Sequence, residues 1–103
     1  MIPHVLAAAA LDDLDDIHAY IAEHNIAAAD RVQNAAFDTF ELLSRNPKIG
    51  RVRKYRGKAS DLRSFGIRSF PNYMIFYRVG TEHLEIVRVL HGAQNLDSIL
   101  GAD

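Results

Sequence analysis

The sequence predicts an α+β fold: a short N-terminal strand, an antiparallel helical hairpin, then a three-stranded antiparallel meander. Apolar residues recur at three- and four-residue steps through two stretches of the first half, the signature of amphipathic helices. The second half changes to β-branched and aromatic segments punctuated by proline, asparagine and glycine. Both halves share a chain of 103 residues, a length that supports one hydrophobic core and not two, so residues 1–103 are expected to form a single domain.

The elements follow in order. Ile2, Val5 and Leu6 form a brief apolar run suited to a first strand, short because Pro3 interrupts it. From about 9 to 24, Leu11, Leu14, Ile17 or His18, and Ile21 make one stripe on a helix. Its acids Asp12, Asp13, Asp15 and Asp16 are placed early, toward the positive end of the helix dipole. A second helix from about 27 to 45 aligns Ala29, Val32, Ala36, Phe40 and Leu43, and Asn46-Pro47 ends it because proline disfavours helical geometry in the residue before it. The short break between the two implies a hairpin. Residues 47–60 carry Pro47, Gly50, Gly57 and mostly basic side chains, and are expected to be a loop. Strands are expected at about 61–69, 72–79 and 84–91, with turns at Pro71-Asn72 and Gly80-Thr81. Alternation in the middle strand leaves both sheet faces apolar, so the face away from the helices also needs a cover. The expected core is Leu14, Ile17, Ile21, Val32, Phe40, Phe65, Ile75 and Val87. Residues 95–100 suit either a helical turn or a tail.

Composition narrows the function classes. Apolar residues make up 49% and charged residues 24% of the chain, as in an ordinary globular protein. No apolar run reaches the roughly 20 residues of a membrane span, and no basic segment precedes the first apolar stretch, so neither membrane insertion nor a signal peptide is expected. The absence of cysteine excludes disulfides and thiolate metal sites, and a cytoplasmic location fits best. The five histidines form no ligand cluster at metal-binding spacing, and no phosphate-binding loop, dinucleotide fingerprint or nucleophile elbow is present. No metal or cofactor is expected.

A net charge of −1 conceals a segregation along the chain. Residues 1–44 hold Asp12, Asp13, Asp15, Asp16, Glu23, Asp30, Asp38 and Glu41 against the lone base Arg31. Residues 45–68 hold Arg45, Lys48, Arg51, Arg53, Lys54, Arg56, Lys58, Arg63 and Arg68 against Asp61 alone. Such a basic stretch with Tyr55 within it suits either nucleic-acid phosphates or an acidic protein partner, or else a solvated loop that offsets the acidic helices. Arg68, expected in a strand beside the small residues Ser64 and Gly66, would lie accessible in a shallow groove. Arg88, on the parity of Ile86 and Leu90, suits a partner contact or an ion-paired structural role. His91 closes the last strand before Gly92, where it could act as a general acid or base or cap the strand end. Arg78, beside Met74 and Phe76, is expected to be structural.

The run Arg68-Ser69-Phe70-Pro71-Asn72-Tyr73-Met74-Ile75-Phe76-Tyr77-Arg78, followed by Ile86-Val87-Arg88-Val89-Leu90-His91-Gly92, resembles the ParE/RelE superfamily of small bacterial toxins, most closely its ParE branch. Ala10-Leu11-Asp12-Asp13-Leu14-Asp15-Asp16-Ile17, Tyr20-Ile21-Ala22 and Asn46-Pro47-Lys48-Ile49-Gly50-Arg51 occur in the family's order, so the resemblance spans nearly the whole chain. It implies the fold inferred above and a plasmid-stabilising type II toxin that poisons DNA gyrase by binding and is neutralised by a cognate ParD-like antitoxin. Partner contacts are expected at Arg51, Arg53, Lys54, Arg56, Lys58, Arg63, Arg68, Arg88 and His91. Sequence-specific nucleic-acid binding by this chain alone is not. The ribosome-dependent ribonuclease branch implies the alternative, messenger-RNA cleavage with Arg68 and His91 as catalytic residues. That branch commonly carries an arginine and a tyrosine or histidine after the last strand, where this chain reads Gly92-Ala93-Gln94-Asn95-Leu96-Asp97. A degenerate member that retains antitoxin binding alone is the third alternative, suggested by Gln94-Asn95 where many relatives have Arg-Asp.

Overall fold

A computed structural model describes residues 1–55, 58–92, 94 and 99, with the backbone alone at 55 and 58–60. Its elements are β1 (His4–Leu6), α1 (Ala8–Ala22), α2 (Ile26–Arg45), β2 (Arg51–Tyr55), β3 (Lys58–Ile67), β4 (Phe70–Val79) and β5 (Leu84–His91). The strands form one sheet in the order β1-β5-β4-β3-β2, with β1 parallel to β5 and every other pairing antiparallel. The helical hairpin covers one face. The α+β order expected from sequence is therefore present, with one strand more than the expected meander.

Local chemistry explains the helix boundaries. Asn25 caps α2 by accepting the Ala28 N–H at 2.9 Å, which ends α1 and starts α2 within a few residues. At the far end the Asn46 amide returns to the Leu42 carbonyl, and Pro47 follows. All five α2 residues expected inward are buried. In α1 the stripe is displaced: Ala10, Asp13 and Leu14 are buried, Ile17 packs beside them, and Leu11 is exposed. The helix also starts at Ala8, so its first turn holds no acid and Asp12–Asp16 lie beyond the strongest part of the dipole. His18 donates to Asp30 at 2.8 Å and joins the two helices across their outer side.

Four features of the sheet differ from the sequence expectation. Residues 51–55 and 58–60, expected in a loop, are strands; alternating bases on an edge strand hide the apolar period that marks inner strands. The β3–β4 turn is Arg68-Ser69, between the paired Ile67 and Phe70, with Ser69 at φ 72°. Pro71 instead sits in β4 within the irregularity between the Gly66–Met74 and Ile67–Phe70 pairs, without a register partner, a place in a sheet that tolerates proline. A Cβ on Gly66 would come within 3.1 Å of the Pro71 Cα, a tight approach that favours glycine.

The third difference is a bulge in β5: Phe76 pairs with Arg88 and Tyr77 with Ile86, leaving Val87 without a partner. Parity then reverses. Val89, opposite Ile75, enters the core in place of Val87, while Leu90 turns to the other face opposite Met74. Of the expected core, Leu14, Val32, Phe40 and Ile75 are buried, Ile17 and Phe65 pack partly buried against it, and Ile21 and Val87 are half-buried. Last, the face away from the helices is not an open apolar surface, since Leu62, Phe76 and Leu90 there are buried too. Exposed apolar side chains lie elsewhere, at Ile49 and Val52 beside the bases and at Leu11 and Tyr20 on α1.

Candidate functional site

Sequence reasoning missed Tyr77, whose hydroxyl organises the approach to β2. It donates to the Pro47 carbonyl and accepts the Gly50 N–H, each at 2.8 Å. Gly50 is needed there, because a Cβ would run into the buried Tyr77 hydroxyl. Arg63 closes the same loop by donating to the Gly50 carbonyl at 2.9 Å and the Lys48 carbonyl at 3.2 Å. Arg63, one of the expected partner contacts, is thus held by backbone acceptors. Burial pushes the Tyr77 phenol above its usual range, against smaller opposing effects of the Gly50 N–H and the Arg63 charge.

The loop delivers β2 as the outer strand of the sheet. Arg51 and Lys54 are exposed and make no ion pair among the described residues. Arg53 lies over the Phe76 ring, 5.9 Å from its centroid, a cation–π arrangement that steadies the guanidinium. With Val52 these residues line a largely polar groove of about 420 Å³. The edge combines unpaired charge, exposed Ile49 and Val52, and an unpaired strand backbone, a combination suited to an acidic extended partner. Arg56 lies outside the described residues, as does the side chain of Lys58. Arg78 is structural as expected, bonded to Asp61 at 3.0 Å and near Glu85 at 3.7 Å.

Arg68 is not in a strand but exposed in the β3–β4 turn, where its backbone N–H donates to the Thr39 hydroxyl at 3.2 Å. Outside the strand, it does not share the strand parity with Ser64 and Gly66 that the expected groove requires. Arg88 is committed to Asp13, with Nε 2.7 Å from Oδ2 and Nη2 2.8 Å from Oδ1, and Oδ2 also accepts the Val89 N–H at 2.9 Å. Hydrogen bonding to Asp13 raises the Arg88 pKa beyond its already high value, outweighing burial. Arg88 is therefore the ion-paired structural arginine of the two alternatives, joined to its partner across 75 positions. Asp13 carried a signal in the sequence: it shares the apolar side of α1 with Ala10 and Leu14, where a carboxylate needs a cation.

His91 ends β5 with its N–H donating to the Gln94 side chain at 2.7 Å and its ring edge-on to Tyr73, centroids 5.2 Å apart. It borders a second groove of about 520 Å³ between α1 and the adjoining ends of β4 and β5, lined by Asp13, Asp16, Ile17, Tyr20, Tyr73, Val89, Leu90, His91 and Gln94. Two surfaces are thus available, a basic sheet edge and an apolar groove with an acidic rim. Among the described residues no group of histidines, aspartates and glutamates could hold a metal ion, and no helix is long and apolar enough to cross a membrane.

Comparison with known proteins places this architecture. Residues 5–96 match the family model described as the ParE toxin of the type II toxin–antitoxin system parDE. Toxin ParE3 of Caulobacter vibrioides is 35% identical over 92 residues, covering 86% of this chain and 85% of that protein. A solved structure, described as the chromosomal ParDE TA system from P. aeruginosa, superposes with a TM-score of 0.72 at 18% identity over 88% of this chain and 96% of that one, a likeness of fold. The sequence match across nearly the whole chain and the common fold lead to one assignment: this protein belongs to the ParE toxin family of type II toxin–antitoxin systems.

Proposed function

We propose that this toxin inhibits DNA gyrase by binding, without a chemical step of its own, and that a cognate ParD-like antitoxin neutralises it. Membership of the ParE family carries the reading. Local geometry agrees with it: Arg88 is spent on Asp13, Arg68 sits in a turn, and His91 is held as a strand-end residue between Tyr73 and Gln94. RNA cleavage would need a group to activate the 2′-hydroxyl and another to protonate the leaving oxygen, and that set is not assembled among the described residues. The antitoxin is proposed to lay acidic groups along Arg51, Arg53 and Lys54, with apolar contacts to Ile49 and Val52.

Purified protein assayed on gyrase supercoiling and on ribosome-bound message tests the reading. Inhibited supercoiling with intact message is the expected result, unchanged in kind by His91→Ala. Message cut in the ribosomal A site, with cleavage lowered about 10²–10⁴-fold by His91→Ala, would establish the ribonuclease instead.

A further inference from the structure

The groove beside α1 differs in chemistry from the basic edge. Its walls are mostly apolar, with Ile17 on the helix and Val89 on the strand, while Tyr20 and Tyr73 bring aromatic rings to it. Of its two carboxylates, Asp13 is neutralised by Arg88, whereas Asp16 is exposed and makes no ion pair among the described residues. Asp16 and Tyr20 are four residues apart on α1, so they neighbour one another on its surface. A carboxylate flanked by rings above an apolar floor suits a long cationic side chain: the stem packs on the apolar walls, the charge meets the acid, and a ring face adds cation–π attraction.

We propose that this groove seats a basic, apolar segment of the neutralising partner, with one arginine or lysine held by Asp16, Tyr20 and Tyr73. The proposal rests on the reading that a separate protein neutralises this chain, and adds a second contact opposite in charge to the first. The chain's own residues 95–103 contain no lysine or arginine and do not have the required chemistry. A partner that used both surfaces would be acidic along β2 and basic along α1. That charge order is the reverse of the toxin's own, in which the acidic helices precede the basic strand.

Two synthetic peptides of equal length test it, one alternating leucine with arginine and the other leucine with glutamate, each titrated into the isotope-labelled protein and followed by amide chemical shifts. The leucine–arginine peptide is expected to shift Ile17, Tyr20, Tyr73 and Leu90, and the leucine–glutamate peptide to shift residues 51–54 instead. Asp16→Asn should weaken the first peptide about tenfold, and Asp16→Glu should retain it. Both variants fold as the parent does if the remaining amide spectrum is unchanged, a check aided by the exposure of Asp16. Equal binding of both peptides at the groove, no shift there, unchanged affinity in Asp16→Asn, or self-association of the protein through the groove would overturn the proposal. Failure to inhibit gyrase with the peptide results as stated would remove the proposed function and leave the seat. The converse would remove the seat alone.

Discussion

The two edges of the sheet are finished in opposite ways. At the β5 edge, β1 pairs in parallel over His4–Leu6 and stops, and beyond it Asp13 accepts the Val89 N–H while Gln94 accepts that of His91. At the β2 edge no strand or side-chain cap is present among the described residues, and the bases Arg51, Arg53 and Lys54 stand along it. An unpaired edge invites association with other chains, and both capping and charge are ways of managing it. Capping closes an edge to every partner; charge selects among partners. One edge is thus closed by the chain itself, and the other is left open and charged.

Asp13→Ala should have the largest effect of the changes that probe this contrast. It strands a partly buried guanidinium and a backbone N–H together, and should cost about 2–4 kcal/mol in denaturant unfolding. Replacing both ends of the ion pair, as Asp13→Leu with Arg88→Met, should recover part of that loss. A double variant as unstable as Asp13→Ala would mean that the Val89 N–H, which neither variant satisfies, carries most of the cost.

Tyr77→Phe comes next, because it frees the Gly50 N–H and the Pro47 carbonyl and loosens the loop that delivers the basic edge; a loss of about 1–2 kcal/mol is expected. The same residue sets an alkaline limit. Its phenol titrates higher in the folded state than its ordinary value of 10.0, so the folded protein retains the proton longer. The associated stability is complete below pH 10 and is lost as pH rises through the folded value, a decline that Tyr77→Phe should remove in unfolding experiments above pH 10. Arg88 shows no such limit in the accessible range, since its already high value is raised further and its pairing energy is lost only above it.

The smallest stability effect should come from the open edge. Arg51→Glu with Lys54→Glu touches no ion pair, so the midpoint of unfolding should move by less than about 0.5 kcal/mol. Antitoxin binding should nevertheless weaken and its salt dependence flatten. Identical binding at low and high salt in parent and variant would show that this edge is not part of the interface.

The contrast between the edges also marks how far the sequence could be read. Local periodicity was sufficient for the helical hairpin, for the five buried residues of α2 and for the order of the last strands. It failed where a residue's place depends on another strand. Nothing local in residues 51–55 distinguishes an edge strand from a basic loop, and the turn at Arg68-Ser69 is fixed by the pairing of Ile67 with Phe70. Along the candidate edge, Arg51 and Lys54 are exposed as their charge leads one to expect, whereas Arg53 is half-buried against the Phe76 ring. Arg63 and Arg88 could not be separated from them by composition, because their partners, a loop carbonyl and a helix aspartate, are brought near only by the fold.

The unpartnered Val87 gives position 87 a value in length and not in identity. Its side chain is half-buried and stands opposite no residue of β4, so exchange for another β-branched residue should disturb little. Loss of that single codon would do something no substitution can: Arg88 would follow Ile86 directly, and the pairs Tyr77–Ile86 and Phe76–Arg88 would become consecutive rungs of a regular ladder, with Val89 still in the core and Leu90 still on the other face. His91 would keep its place opposite Tyr73, and what the strand would lose is the local bend and extra twist that a bulge gives. A deletion beyond the bulge would instead put every later side chain on the opposite face, so the surface offered to a partner depends on where in the strand the count changes as well as on the residues themselves.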